Sequence, residues 1–174
     1  MKRSMALWQV IGFAFVSLGG TFLHFLYDWT GENPIIAVFS GVNESTWEHM
    51  KLLFFPMVLY AVLQHFLFPD RKDFWCIKTV GVLLGVLMIP ALFYTANGAF
   101  GGTPNWLNIT FFFVAAAFAF QLEWWLFGLL AIPCKKHYLA FLILAGIAVL
   151  FAVFTFVPPE LPLFRDPVTG AYGI

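Results

Sequence analysis

The sequence predicts an all-α fold, a single polytopic membrane bundle of five transmembrane helices with the N-terminus inside and the C-terminus outside. Three observations carry this. Of 174 residues, 61% are hydrophobic and only 10% charged, where a soluble domain has about a quarter charged. Five apolar runs approach or exceed the roughly 20 residues that cross a bilayer. The cations are divided unevenly between the loops, which sets orientation. Nine Lys+Arg against nine Asp+Glu leave no net charge, so no nucleic-acid partner is expected; the expected environment is the lipid bilayer.

The first run, 5–27, is longer than the roughly 7–15-residue core of a signal peptide and has no clear small-x-small cleavage site, so it reads as a retained helix. The second, 52–68, stops at Pro69-Asp70-Arg71-Lys72. The third, 75–94, carries Lys78 near its start, where a long stem is expected to snorkel to the headgroups. The fourth, 106–132, contains Gln121 and Glu123. The fifth, 138–157, ends at Pro158-Pro159. Between the first two spans lies an expected outer loop, 28–51, and an expected outer tail, 158–174, closes the chain.

With the N-terminus inside, Lys2, Arg3, Arg71, Lys72, Lys78, Lys135 and Lys136 are cytoplasmic, and only Lys51 and Arg165 lie outside. Lysine and arginine are retained on the cytoplasmic face when loops are short, so seven against two decides the orientation. Trp8, Trp75, Trp124 and Trp125 then fall near the inner interface, and Trp29, Trp47 and Trp106 near the outer one. Cys76 and Cys134 both fall on the reducing cytoplasmic side, and two separate thiols are expected there. Five spans do not divide into two equal inverted halves, which argues against a stand-alone transporter.

Polar chemistry gathers on the outer side. Ser17, Thr21, His24 and Asp28 recur at steps of four, three and four, one face of the first helix. Lipid satisfies none of these groups, so the seam is expected to face other helices or water. The block Asn43-Glu44-Ser45-Thr46-Trp47-Glu48-His49-Met50-Lys51 precedes the second span, and Ser45-Thr46-Trp47-Glu48 matches a capping box, with Asn43 as the alternative cap. If the helix begins at Asn43, Glu44 and Glu48 share a face, and their repulsion calls for a cation: Lys51, Arg165 or a metal ion. The stretch 35–39 is too short to span and is expected to lie at the interface, holding the first two helices close. His24, Asp28, Glu44, Glu48 and His49 would then share one outward pocket. Two imidazoles and three carboxylates suit a divalent metal such as zinc, iron or manganese. Because His49 lies about 100° around the helix from Glu48, not all five point the same way.

The tail combines prolines, which favour an extended course, with Leu161, Leu163, Phe164 and Tyr172, and is expected to pack over the outer helix ends as a lid. It should finish in a turn at Asp166-Pro167-Val168-Thr169-Gly170, with Arg165 near the acidic cluster. In the inner half, Gln64 and His65 lie at a depth comparable to Gln121 and Glu123. Glu123, expensive in a membrane, is expected to pair with His65 or Gln64, or to snorkel beside Trp124 and Trp125.

Three segments together, His24–Trp29, Val42–Pro56 and the tail, resemble a family of small uncharacterised multi-pass membrane proteins, mainly of Gram-positive bacteria, that share an N-E-S-x-W-E-H-x-K block. The resemblance implies a cytoplasmic-membrane protein in which His24, Asp28, Asn43, Glu44, Trp47, Glu48, His49 and Lys51 belong to one site, and it implies no activity. The residues themselves leave three readings: a divalent-metal or small-cation site, a metal-dependent hydrolase at the outer leaflet with Glu44 or Glu48 as general base, and an accessory subunit whose polar cluster only fixes loop geometry. Gly19-Gly20 and Gly81-x-x-x-Gly85 permit close packing within one chain, in a homo-oligomer or against a membrane partner.

Overall fold

The computed structural model describes residues 2–129, 134 and 136–174. The expected span end at Ile132 and the cation Lys135 lie outside the described residues, as do the side chains of Lys2 and Arg3. The helices are α1 (Lys2–Trp29), the short α2 (Pro34–Ala37), α3 (Thr46–Leu67), α4 (Phe74–Phe100), α5 (Asn105–Gly128) and α6 (His137–Phe156), followed by a 3-10 turn at Pro162–Phe164. Five of them are long and apolar enough to cross a membrane. Among the described residues there is no strand, only an isolated bridge between Arg165 and Tyr172.

Helices α1, α3, α4 and α5 close a ring in chain order, α1 meeting α5, and α6 lies in the groove between α3 and α4. In lipid no hydrophobic force separates helix faces from acyl chains, so association depends on close approach through small residues. A Cβ at Gly12 would collide with the Tyr60 ring, and one at Gly20 would stand 2.9 Å from the Leu52 carbonyl. Gly85 meets Ala119 while Gly81 makes room for the Glu123 carboxyl. The Gly81-x-x-x-Gly85 spacing therefore packs α4 on α5 within one chain. Val16, Leu53, Met57, Val82 and Ala119 fill the interior.

At the end where α1 begins, four expectations are corrected. Lys78 does not snorkel: it is wholly buried, its Nζ 2.5 Å from the Glu123 carboxylate and 5.1 Å above the Phe120 ring. Glu123 consequently pairs with neither His65 nor Gln64. Gln64 Nε2 meets the Met5 sulfur at 3.8 Å, His65 lies 5.2 Å from the Phe74 ring, and Gln121 is exposed. The reason is the packing order, since α5 lies broadly against α4 and barely touches α3. Cys76 and Cys134 are not separate thiols but a disulfide, with Cα atoms 5.8 Å apart; Cys134 lies against the first turn of α4, which no sequence spacing announces. Trp75, expected at an interface, is buried against Phe141 at 4.4 Å. Nearby, Arg71 forks onto Asp73 at 2.9 and 2.6 Å, and that hydrogen bonding raises the arginine's pKa above its ordinary value.

The tail packs over the opposite end. Phe164 is buried beside Trp47 at 4.7 Å and Phe154 at 5.4 Å, so Trp47 belongs to the interior rather than to an interfacial belt. The tail ends in the expected Asp166 turn: Asp166 accepts from the Val168 N–H at 2.7 Å and from the Thr169 hydroxyl at 2.9 Å. Short-range side-chain bonds of this kind specify a turn without help from the rest of the fold.

Candidate functional site

The segment between α1 and α3 is fixed by three side chains. Asn33 caps α2, accepting from the Ile35 N–H at 2.9 Å. The Ser40 hydroxyl donates to the Leu23 carbonyl and accepts from the Tyr27 N–H, so it inserts into the α1 ladder around His24. Gly41 N–H adds a bond to the same Leu23 carbonyl at 3.3 Å. The connection is thereby pinned beside His24 on both sides.

Ser45 then caps α3, accepting from the Glu48 N–H at 3.4 Å. The capping box is only half formed: the Ser45 N–H donates to Asn43 Oδ1 at 2.9 Å, and Glu48 reaches the Val42 N–H at 3.1 Å instead. Asn43 is therefore not the cap. It forms this local turn and donates from Nδ2 to the Gly173 carbonyl at 3.0 Å, tying the tail to the loop. Because α3 starts at Thr46, Glu44 precedes the helix and does not share its face with Glu48.

The five expected ligand residues consequently separate. His24, Glu44 and His49 come together, their ligand atoms all within 4.8 Å of one another. His24 Nε2 and His49 Nε2 each lie 3.6 Å from a Glu44 oxygen, and the two rings meet edge to face at 5.6 Å. Glu48 turns the other way into a buried ion pair with Lys51 at 2.5 Å. Asp28 is exposed and outside the cluster. Arg165 is exposed too, and among the described residues it makes no ion pair.

The Lys51 ammonium is saturated. Lys51 carries three N–H donors, and they meet Glu48, the Ala37 carbonyl at 2.7 Å and the Thr155 hydroxyl at 2.9 Å. One ammonium thus joins α2, α3 and α6. The His cluster is satisfied differently. His49 Nδ1 lies 2.9 Å from the Ser45 carbonyl; a carbonyl only accepts, so Nδ1 carries the proton. In the neutral ring Nε2 is then a bare lone pair directed at a carboxylate, two acceptors 3.6 Å apart, too far for a hydrogen bond. A positive charge, a proton or a metal ion, reconciles them.

The cluster opens on a cleft of about 310 Å³. Its polar end is His24, Glu44, His49 and Thr46; its walls are Ile89 and Phe93 of α4 and Ile109 and Phe112 of α5, and Pro167 and Val168 of the tail border it. Those walls escaped the sequence reading because apolar residues on apolar helices carry no distinguishing signal. Lys78 as the partner of Glu123 was open to detection, as an opposite charge at comparable depth. Gln9 was missed altogether, although it is almost wholly buried next to Glu123.

Five apolar helices and an open imidazole–carboxylate cluster at one end define the class: a multi-pass membrane protein with a polar site at the helix ends. The chain belongs to a family of unknown function (DUF6512), which it matches over residues 1–174. This fits the uncharacterised family expected from the sequence. No curated protein and no solved structure matches the chain.

Proposed function

We propose that this membrane protein binds a divalent metal ion through His24, Glu44 and His49, at the outer face of a bacterial cytoplasmic membrane. The observation that carries the reading is the confrontation of His49 Nε2 with the Glu44 carboxylate, with Nδ1 held by the Ser45 carbonyl. A hydrogen bond to the far ring nitrogen fixes the tautomer and orients a metal-ligating histidine in this way. Two imidazoles and one carboxylate make a set of three that leaves coordination positions open, suited to zinc, iron or manganese.

Neither other reading gains comparable support. A hydrolase needs a free base beside the metal, whereas Glu48 is engaged by Lys51 and Val42 and Glu44 is itself a ligand. A purely structural role suits Glu48, Asn43 and Lys51 but not the unmatched histidine cluster. The test is elemental analysis of detergent-purified protein beside a folded His24→Ala/His49→Ala variant. One equivalent of metal in the parent, absent from the variant, is the expected result; no metal in either after attempted loading overturns the proposal.

The outward placement rests on the cation count, seven against two. The disulfide pulls the other way, because an oxidised Cys76–Cys134 pair suits an oxidising compartment. Thiol labelling in intact cells decides: once a membrane-permeant reductant opens the pair, the two cysteines of a protein with its N-terminus inside react only with membrane-permeant maleimides, and labelling by an impermeant reagent would reverse the orientation.

A further inference from the structure

We infer that the cleft beside the cluster takes a single-chain amphiphile with an anionic oxygen headgroup, a long-chain carboxylate being the simplest, with its head on the metal and its chain along α4 and α5. The inference rests on the metal reading and names the occupant of that site. Three observations point to it. The cleft is two-faced, with titratable donors at one end and a wall of Ile89, Phe93, Ile109 and Phe112 whose one polar residue is Asn108. That wall belongs to two candidate membrane spans, Phe74–Phe100 and Trp106–Gly128, and Ile109 is 53% exposed, so the apolar side is open along helices apolar enough to sit in lipid. The volume, about 310 Å³, is at the low end of the roughly 300–1,000 Å³ of small-molecule sites. It holds a headgroup and a few carbons, and the rest of the chain stays in the bilayer.

Charge selects the head. A divalent ion held by one carboxylate and two neutral imidazoles leaves a net charge of +1, which favours an anion in the open position. The alternative occupants fit less well. A free small anion would not use the apolar wall.

The test uses the full-length protein in maltoside micelles at fixed detergent concentration, loaded with Co²⁺, whose visible spectrum reports ligand exchange at the metal. Acetate and decanoate are titrated in parallel against the parent and against Phe93→Ser/Ile109→Ser, with Val168→Ser as a milder variant should the double one lose its cobalt spectrum. Decanoate is expected to perturb the parent's spectrum at a concentration at least about tenfold lower than acetate, since burying two or three methylenes gives that ratio. The advantage should disappear in the wall variant while Co²⁺ uptake persists. Equal potency of the two acids, or an advantage that survives in the variant and so comes from the micelle, overturns the inference and leaves the metal site standing. Failure of the parent to take up Co²⁺ overturns both.

Discussion

Glu48 and Lys51 occupy the first turns of α3, and His24, Glu44 and His49 lie beside them at the same end of the bundle. The first group is buried with every lysine proton donated, to a carboxylate, a carbonyl and a hydroxyl. The second is half open, and in it the acceptors His49 Nε2 and Glu44 carboxylate face one another at 3.6 Å. Both are made of the residue types that a sequence reader collects into one ligand set. Their difference teaches that saturation separates a brace from a site: groups that have spent their hydrogen bonds on the fold have none left for a ligand. The Lys78–Glu123 pair falls between them, buried and joined, but with Glu123 Oε1 lacking a partner.

The sharpest test of the contrast is Lys51→Met. It leaves Glu48 buried and unpaired, and about 3–5 kcal/mol of stability should be lost, read as a drop in thermal midpoint in detergent. Adding Glu48→Met should recover little, because the Val42 N–H and the Ala37 carbonyl remain without partners. In the Lys78–Glu123 pair the outcome should differ. Lys78→Met alone costs about 3 kcal/mol, and Lys78→Met/Glu123→Met returns most of it, as for buried pairs replaced by apolar side chains. Equal recovery in the two double variants would remove the distinction between a lysine bonded to three groups and one bonded to its carboxylate alone.

Ser40→Ala should have an intermediate effect, about 1–2 kcal/mol, because the Leu23 carbonyl and Tyr27 N–H lose the hydroxyl inserted between them. The smallest stability effect belongs to the site. Glu44→Gln keeps shape at a half-exposed position and should change stability by no more than about 0.5 kcal/mol. Metal affinity should nevertheless fall at least about tenfold, because a charged ligand is gone. The parent, but not this variant, should be stabilised on metal addition, by about 2.7 kcal/mol at a hundredfold excess over the dissociation constant. If Glu44→Gln destabilised the metal-free protein as much as Lys51→Met, the cluster would be a second brace and the comparison would fail.

Much of the local structure was legible in residues a few places apart. Ser45 as cap, Lys51 offsetting Glu48, and the Asp166 turn all follow from short-range rules, as does the placement of His24 and His49 on the polar side. The grouping of the site was only partly legible. Asp28 was included because four residues after His24 is the same helical face, yet the returning chain crosses α1 at Leu23 and Tyr27 and leaves Asp28 exposed. Glu44 and Glu48 were to share a face only if the helix began at Asn43; with the Ser45 cap and the start at Thr46, Glu44 precedes the helix and meets the histidines.

The sequence by itself determined the membrane class, the five helices and their helix-end chemistry, because apolar run length, capping and i, i+3 pairing depend only on backbone geometry within a turn or two. Only the tertiary structure decided that Lys78 meets Glu123, that Cys76 meets Cys134, that Trp47 is buried, and that Ile89, Phe93, Ile109 and Phe112 wall a cleft. Those contacts depend on how each helix is rotated and shifted against its neighbours. In a membrane protein the lipid-facing and protein-facing surfaces are both apolar, so hydrophobic patterning carries no instruction about rotation, and close packing at Gly12, Gly20, Gly81 and Gly85 supplies it instead.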